Sequence, residues 1–317
     1  MATRLGIIGA GIMGERMVRA AVEHAGDVLT VGPVWDAAAG AVERLGDVVA
    51  VRAGSAAEVI AGSDCVYVAT PPGTHLEYAE QALAAGRAVF LEKPLATDVA
   101  AAGAFAQRHE GARVGVNFPF ASSFAVERLR GWLDEGVVGP AESLAIRVAF
   151  REWPRPWQQG AASWLDGAAE GGFTREVVSH FLFLSRRLLG PLTLEGAKVE
   201  RLPGRSERCV TARLRAGNVP VTLEGEVGTT EADDHNTWTL FGLGAVRLRD
   251  WSIAERRSEG GEWVPDADAA PNERMRPLVL RRQLEGVVRM VRGEAHPLAT
   301  VAEALEVQTV VEAMLHA

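Results

Sequence analysis

The sequence predicts an α/β chain in two parts. A doubly wound parallel sheet comes first, followed by an α+β region with an open, largely antiparallel sheet. Three observations predict it. Over residues 1–118, short apolar runs alternate with helix-forming segments, the pattern of parallel strands joined by helical crossovers. The first run opens directly into Gly9-x-Gly11-x-x-Gly14. Over residues 119–317 strand-length runs dominate instead, and Arg208 to Arg215 alternates Val210, Ala212 and Leu214 on one face with Thr211, Arg213 and Arg215 on the other.

Leu5 to Ile8 has the length and content of a buried strand, and Glu15 to His24 forms a helix behind the glycines. Each glycine has a separate task. Gly9 permits the tight turn, Gly11 lets a pyrophosphate approach the backbone, and Gly14 lets helix and strand pack closely. The backbone from Gly9 to Gly14, with Ile12 and Met13, is therefore a candidate Rossmann-type dinucleotide cradle backed by the helix N-terminus. Val28 to Trp35 reads as the second strand, made irregular by Pro33 and ending in Asp36. Asp36 has two readings. It holds a ribose diol about 20 residues beyond the glycines, or it caps a helix over Ala37 to Leu45. No Arg or Lys follows it at once, which favours NAD over NADP.

Ser55 to Ala61 reads as a helix and Cys65 to Ala69 as a buried strand. Thr70-Pro71-Pro72-Gly73-Thr74-His75 then forms an open loop at the strand's C-terminal end, where open α/β sheets bind ligands. Helix Leu76 to Ala85 and strand Gly86 to Leu91 lead into Glu92-Lys93-Pro94. Lys93 places an ammonium at a strand end, where it can stabilise charge on a reacting oxygen; the plainer alternative is a Glu92–Lys93 pair on a loop.

The glycine loop, Ala69-Thr70-Pro71-Pro72 with His75, and Glu92-Lys93-Pro94 together resemble the glucose–fructose oxidoreductase/inositol dehydrogenase (Gfo/Idh/MocA) family. The resemblance continues through Val116-Asn117, helix Ser123 to Glu135, Gly171-Gly172 to His180, and the last helix near Ala302 to Leu315. It implies an NAD- or NADP-binding oxidoreductase, with Thr70, Pro71, Pro72, His75, Glu92, Lys93 and Asn117 beside the cofactor. It also implies a catalytic set of Lys93, Glu176 and His180.

Several features of the second half bear on chemistry. From Thr174 onward a helix would place Glu176 and His180 on one face, and a carboxylate one turn from an imidazole makes a workable general acid/base. The family's acid here is most often Asp. Phe173, Arg175 and Ser179 stand where it has small or apolar residues. Trp164, Arg175, Glu176, His180 and Lys93 are the candidate substrate contacts. Trp153, Trp157 and Trp164 serve equally as walls for a ring or as satellite core. Ser143 to Phe150, Leu194 to Arg201, Val219 to Val227, Asn236 to Phe241 and Ala245 to Trp251 read as strands. Phe241 to Ala245 reads as a hairpin turn and Glu255 to Pro271 as a surface loop. Leu280, Leu284, Val287, Val288 and Val291 mark an amphipathic helix whose arginines, among them Arg281 and Arg282, form a solvated face.

Composition excludes other classes. A net charge of −8 argues against a nucleic-acid surface, and no apolar run reaches membrane-spanning length. Cys65 and Cys209 have no metal-ligand or redox spacing, so no metal is expected, and two reduced, buried thiols fit a cytoplasmic protein. The first strand starts almost at Met1, leaving no room for a leader. The resemblance implies hydride transfer between nicotinamide C4 and a carbonyl or alcohol carbon of a sugar, sugar derivative or polyol. An imine reductase is the enzymatic alternative, favoured by the Arg175–Glu176–Ser179 surroundings. A catalytically silent nicotinamide sensor is the alternative of another class. The alternating arginines at 213 and 215 hint at a homodimer or homotetramer.

Overall fold

The computed structural model describes residues 2–317, which form two compact units. One comprises the residues up to Ser122 together with Arg276–Leu305, and the other Ser123–Met275 with Glu306–Ala317.

In the first unit β1 (Thr3–Ile8), α1 (Ile12–His24), β2 (Leu29–Trp35), α2 (Ala56–Ala61), β3 (Cys65–Val68), α3 (His75–Ala84), β4 (Ala88–Leu91), α4 (Val99–Arg108) and β5 (Val114–Val116) follow in order. All five strands are parallel, in the order β2-β1-β3-β4-β5. Every residue of β3, β4 and β5 is buried, as a sheet covered on both faces requires. The order reverses between β1 and β3, the switch point where such sheets bind ligands, and the glycine loop leaves β1 there. Pro33 has no N–H to give the ladder, and the β1–β2 register slips by one residue between Leu5↔Val31 and Ile7↔Val34. Leu5, Ile7, Met17, Val18, Leu29, Tyr67 and Phe90 pack into one core with Leu284, Val287, Met290 and Leu298.

The helix expected over residues 37–45 does not form. Gly40 and Gly46 take left-handed φ values of 76° and 61°, and only a kinked 3₁₀ stretch at Glu43–Val48 remains.

In the second unit α5 (Phe124–Asp134) is capped by the Ser123 side chain on Val126 N. Then come β6 (Ser143–Phe150), α6 (Ala162–Leu165), α7 (Ser179–Leu189) and β7 (Leu192–Arg201). The strands continue with β8 (Glu207–Ala216), β9 (Val219–Val227), β10 (Asp234–Phe241), β11 (Ala245–Arg249), β12 (Ile253–Arg257) and β13 (Trp263–Pro265). Their eight-stranded sheet runs β13-β12-β11-β10-β6-β9-β8-β7 and is antiparallel except for β6–β9. Alternation fixes its faces: Leu144, Ile146, Val148, Val210, Leu214 and Leu223 are buried, while Arg147, Thr211, Arg213 and Glu224 are exposed. Cys65 is buried and Cys209, opposite in parity to Val210, is half-buried.

Two expectations change at the sheet edge. The strand read through Trp251 ends at Arg249, and the stretch read as loop from Glu255 to Pro271 is strand over residues 255–257 and 263–265. Glu255 is buried between Arg247 and Arg249, and Arg247 lies over the Trp263 ring at 4.4 Å, so charge pairing holds an edge that apolar periodicity does not mark. Helices α8 (Asn272–Val291) and α9 (Val301–Leu315) complete the chain. No helix among the described residues is long and apolar enough to cross a membrane.

Candidate functional site

The first unit supplies an anion cradle. Gly9 has φ 103°, and a Cβ there would lie 2.5 Å from Ala69 O; a Cβ on Gly14 would lie 1.8 Å from Gly9 O. Both glycines are demanded by the protein itself. Gly11 is different: it is exposed, and a Cβ there would meet nothing within 4 Å. It is also the N-cap of α1, and no side chain caps the first turn, whose backbone N–H groups include those of Ile12 and Met13. These residues fit a pyrophosphate. Asp36 stands beside the loop, Oδ2 accepting from Ala10 N at 2.6 Å and Oδ1 from Ala38 N at 2.7 Å. It closes a turn instead of capping a helix.

The loops after β3 and β4 are tied together by His75, which is wholly buried. Its Nε2 is hydrogen-bonded to Thr70 O at 2.7 Å and its Nδ1 to Pro94 O at 2.8 Å. Thr74 Oγ1 donates to Thr70 Oγ1 at 2.8 Å, and Pro72 is buried while Pro71 is exposed. Glu92 turns inward, accepting from the Tyr67 hydroxyl and, at 2.6 Å, from Asn117 Nδ2. Gln283 of α8 donates to Asn117 Oδ1 at 2.6 Å. Burial, reinforced by the Glu92 charge, holds the Tyr67 hydroxyl far above its ordinary value, so it stays a donor. The network fixes the backbone from which half-buried Lys93 projects, and Lys93 N lies 3.3 Å from Glu92 Oε2. Tyr67 and Gln283 were not singled out from sequence; both look like ordinary core and helix-face residues.

The second unit carries the remaining candidates. A Cβ on Gly171 would lie 2.2 Å from Leu165 O, and one on Gly172 (φ 106°) 2.3 Å from Glu207 Oε2. The glycine pair thus makes room for Glu207, which is buried and accepts from Thr174 N at 2.6 Å, a carboxylate at the start of a helical segment. Nothing in the sequence around Glu207 signals this role. Thr174–Val178 is a π turn before α7, with Ser179 N donating to Thr174 O. It is wider than the α-helical turn expected, a feature that recurs at functional sites. Glu176 on it is half-buried and His180, in α7, is buried with its ring edge-on to Trp251.

Arg175 points elsewhere: it holds Glu312 of α9 and the carbonyls of Ala168 and Gly171. Ser179 Oγ donates to Arg175 O at 2.7 Å. Trp153 is core, packed on Phe150 and Phe173, whereas Trp157 is exposed and Trp164 half-buried. The structure thus groups Thr70, His75 and Pro94, and separately Tyr67, Glu92 and Asn117, in the first unit; Glu176 and His180 belong to the second.

Comparison with known proteins agrees with this architecture. Residues 3–118 match the model of the GFO_IDH_MocA oxidoreductase family, NAD-binding Rossmann fold. An inositol 2-dehydrogenase of Rhizobium meliloti (strain 1021) is 30% identical over 196 residues, which is 60% of this chain and 56% of that relative. The chain therefore matches little more than half of that relative's length. Among solved structures, an oxidoreductase from Agrobacterium radiobacter, in complex with NAD+, L-tartaric acid and magnesium, superposes with a TM-score of 0.81 at 19% identity, over 99% of this chain and 95% of that one. A myo-inositol 2-dehydrogenase from Lactobacillus plantarum also gives 0.81 at 19% identity, over 100% and 97%. At such identities these two likenesses speak for the fold. Residues 3–118 thus carry the likeness to the Gfo/Idh/MocA oxidoreductase family and its NAD-binding Rossmann fold.

Proposed function

We propose that the chain is a nicotinamide-dependent dehydrogenase or reductase acting between a carbonyl and an alcohol carbon of a sugar, sugar derivative or polyol. The observation that carries this reading is the N-terminus of α1, uncapped by any side chain, where a Cβ on Gly11 would meet no neighbour within 4 Å. Bound there, the dinucleotide would supply or accept the hydride. Gly9 to Gly14, with Ile12 and Met13, would hold its phosphates and Asp36 its ribose, which favours NAD over NADP. Thr70, Pro71, Pro72, His75, Glu92 and Asn117 would shape the loops beside it. Lys93 would hold the substrate oxygen and stabilise charge on it, His180 would exchange its proton, and Glu176 would tune the imidazole. Trp164 would serve as a substrate wall. Arg175 and Ser179, whose unusual presence favoured an imine, make hydrogen bonds within their own segment and to Glu312, which supports the alcohol–carbonyl reading first. A silent sensor would need the glycines but neither Lys93 nor His180. The inositol dehydrogenase relative supports the polyol class. We place the protein in the cytoplasm as a homodimer or homotetramer.

The test is a panel of polyols, sugars and imines assayed by nicotinamide absorbance with both cofactors. Lys93→Met and His180→Ala should each cut kcat by about 10²–10⁴-fold while cofactor affinity stays within a few-fold. No turnover with any member of the panel would favour the sensor.

A further inference from the structure

The loop between β11 and β12 holds the backbone of the second unit in a conformation its residues resist. Asp250 has φ 47° and Trp251 φ 73°, and these are the only non-glycine residues with positive φ among the described residues. That is the left-handed region, which L side chains other than Asn and Asp rarely adopt. Such turn positions go to Gly, Asn or Asp, and a bulky indole is an outlier.

Polar contacts over-determine the turn. Asp250 N donates to Asn236 O at 2.9 Å; its Oδ1 accepts from Asn236 N at 3.1 Å and bonds His235 Nδ1 at 2.9 Å. Arg249 Nη1 reaches Oδ2 at 3.2 Å, and Ser252 Oγ donates to Ala270 O at 2.8 Å. None of these contacts needs an indole at 251.

The indole itself meets His180. The two rings stand edge to face, with centroids 5.6 Å apart and planes at 74°, while Phe181 lies 5.4 Å from the same indole. Trp251 Nε1 donates to Asp234 Oδ1 at 3.3 Å, and Asp234 is anchored in turn by Arg155. Arg155 is buried, bonded through Nε to Gln158 at 3.0 Å, and lies over Trp157 at 4.7 Å. Strain held this firmly beside a reactive group points to function.

We propose that Trp251 is a positioning residue, which fixes the plane of the His180 imidazole and shields it from water. The inference rests on the acid/base role proposed above for His180. The charged groups bonded around this corner are Asp234 on β10, Asp250 in the turn and Arg155 in the loop before α6; Glu176 sits on the segment that carries His180, and Arg175 on that segment turns away to Glu312. Removing the indole lets the ring rotate and lets water reach it, which favours the charged imidazolium. His180 should then hold its proton to higher pH.

The test uses the full chain labelled with 13C at histidine Cε1, without substrate, the His180 resonance being the one lost in His180→Gln. In the wild type it should be displaced by the indole ring current. Trp251→Ala should move it towards the ordinary position and raise its titration midpoint, and Trp251→Phe should retain most of the displacement. On whichever panel substrate turns over, Trp251→Ala should lower kcat about ten- to a hundredfold without changing the KM for the dinucleotide. A folded Trp251→Ala whose His180 resonance and titration match the wild type overturns the proposal. Should Trp251→Ala fail to fold, Asp234→Asn, which weakens the anchor of Nε1, takes its place, and an unmoved resonance there overturns it equally. If instead the resonance moves as expected while His180→Gln keeps full turnover, the acid/base reading fails and the coupling of Trp251 to His180 stands.

Discussion

Arg175 grips Glu312 with two nitrogens, Nε to Oε1 at 2.6 Å and Nη2 to Oε2 at 2.7 Å, and the side chains are only 7% and 13% exposed. A two-pronged pair this deep locks the π turn onto α9. Removing one partner leaves the other as a buried charge, so Arg175→Ala should destabilise the protein by about 3–5 kcal/mol. Replacing both, as Arg175→Met with Glu312→Leu, should recover most of that loss. Urea unfolding measures it. A fully stable Arg175→Ala whose only defect is a higher substrate KM would show that the guanidinium serves the substrate.

The three glycines of the first loop should separate under mutation. Gly14→Ala drives a methyl into Gly9 O and should impair folding, whereas Gly11→Val has room and should melt near the wild type. Its side chain would fill the space left for phosphates, weakening NADH binding more than about tenfold, or 1.4 kcal/mol. Calorimetric titration with NADH and a thermal melt decide this together; unchanged affinity in the folded variant refutes the cradle.

Asp36 should govern the choice of cofactor. Its carboxylate, already bonded to Ala10 N and Ala38 N, would meet a ribose diol with its remaining lone pairs and repel a 2′-phosphate. Asp36→Ala should weaken NADH binding and narrow the gap between NADH and NADPH in dissociation constant. A wild type that prefers NADPH outright contradicts the assignment.

Acid should loosen the edge of the second sheet through Glu255. Burial acts to raise the carboxyl of Glu255, but hydrogen bonds from Arg247 and Arg249 outweigh it and hold the group below its ordinary value. A lowered folded value means the stabilisation is complete above the unfolded value of about 4.3 and is lost as pH falls through the folded one. Glu255→Gln should therefore be less stable than the wild type at neutral pH, and the difference should shrink as pH falls below about 4. A difference constant from neutral to acid pH would mean that the ion pairs contribute nothing there.

What the sequence disclosed was mostly local. The run Leu5 to Ile8 with its glycines, the alternation along Val210 to Leu214, and the helix beginning at Ser123 are each set within a few residues, and each is found where the sequence pattern put it. Residues 37–45 misled because apolar periodicity there is cut by Gly40 and Gly46 in left-handed conformations. Strand β12 was hidden because its inward Glu255 is made tolerable by arginines from the neighbouring strand. On the site side, the glycine loop and the turn bearing Lys93 were legible as motifs. Gln283, Glu207 and Trp251 were not, since Gln283 and Glu207 act on residues 166 and 33 positions away, and Trp251 is a bulky residue at positive φ where the sequence reads as strand.

The network joining Glu92, Asn117 and Gln283 has a consequence for the order in which the protein is made. Residues up to Ser122 leave the ribosome before residues 276–305, yet the core of their unit also needs Leu284, Val287, Met290 and Leu298, and Asn117 waits for Gln283. During the synthesis of the intervening 150-odd residues the nascent Rossmann sheet has an uncovered apolar flank and an unfinished hydrogen-bond chain beneath Lys93. A stalled or truncated product ending before residue 283 would therefore carry every glycine of the cradle and still be a client for chaperones instead of a dinucleotide binder.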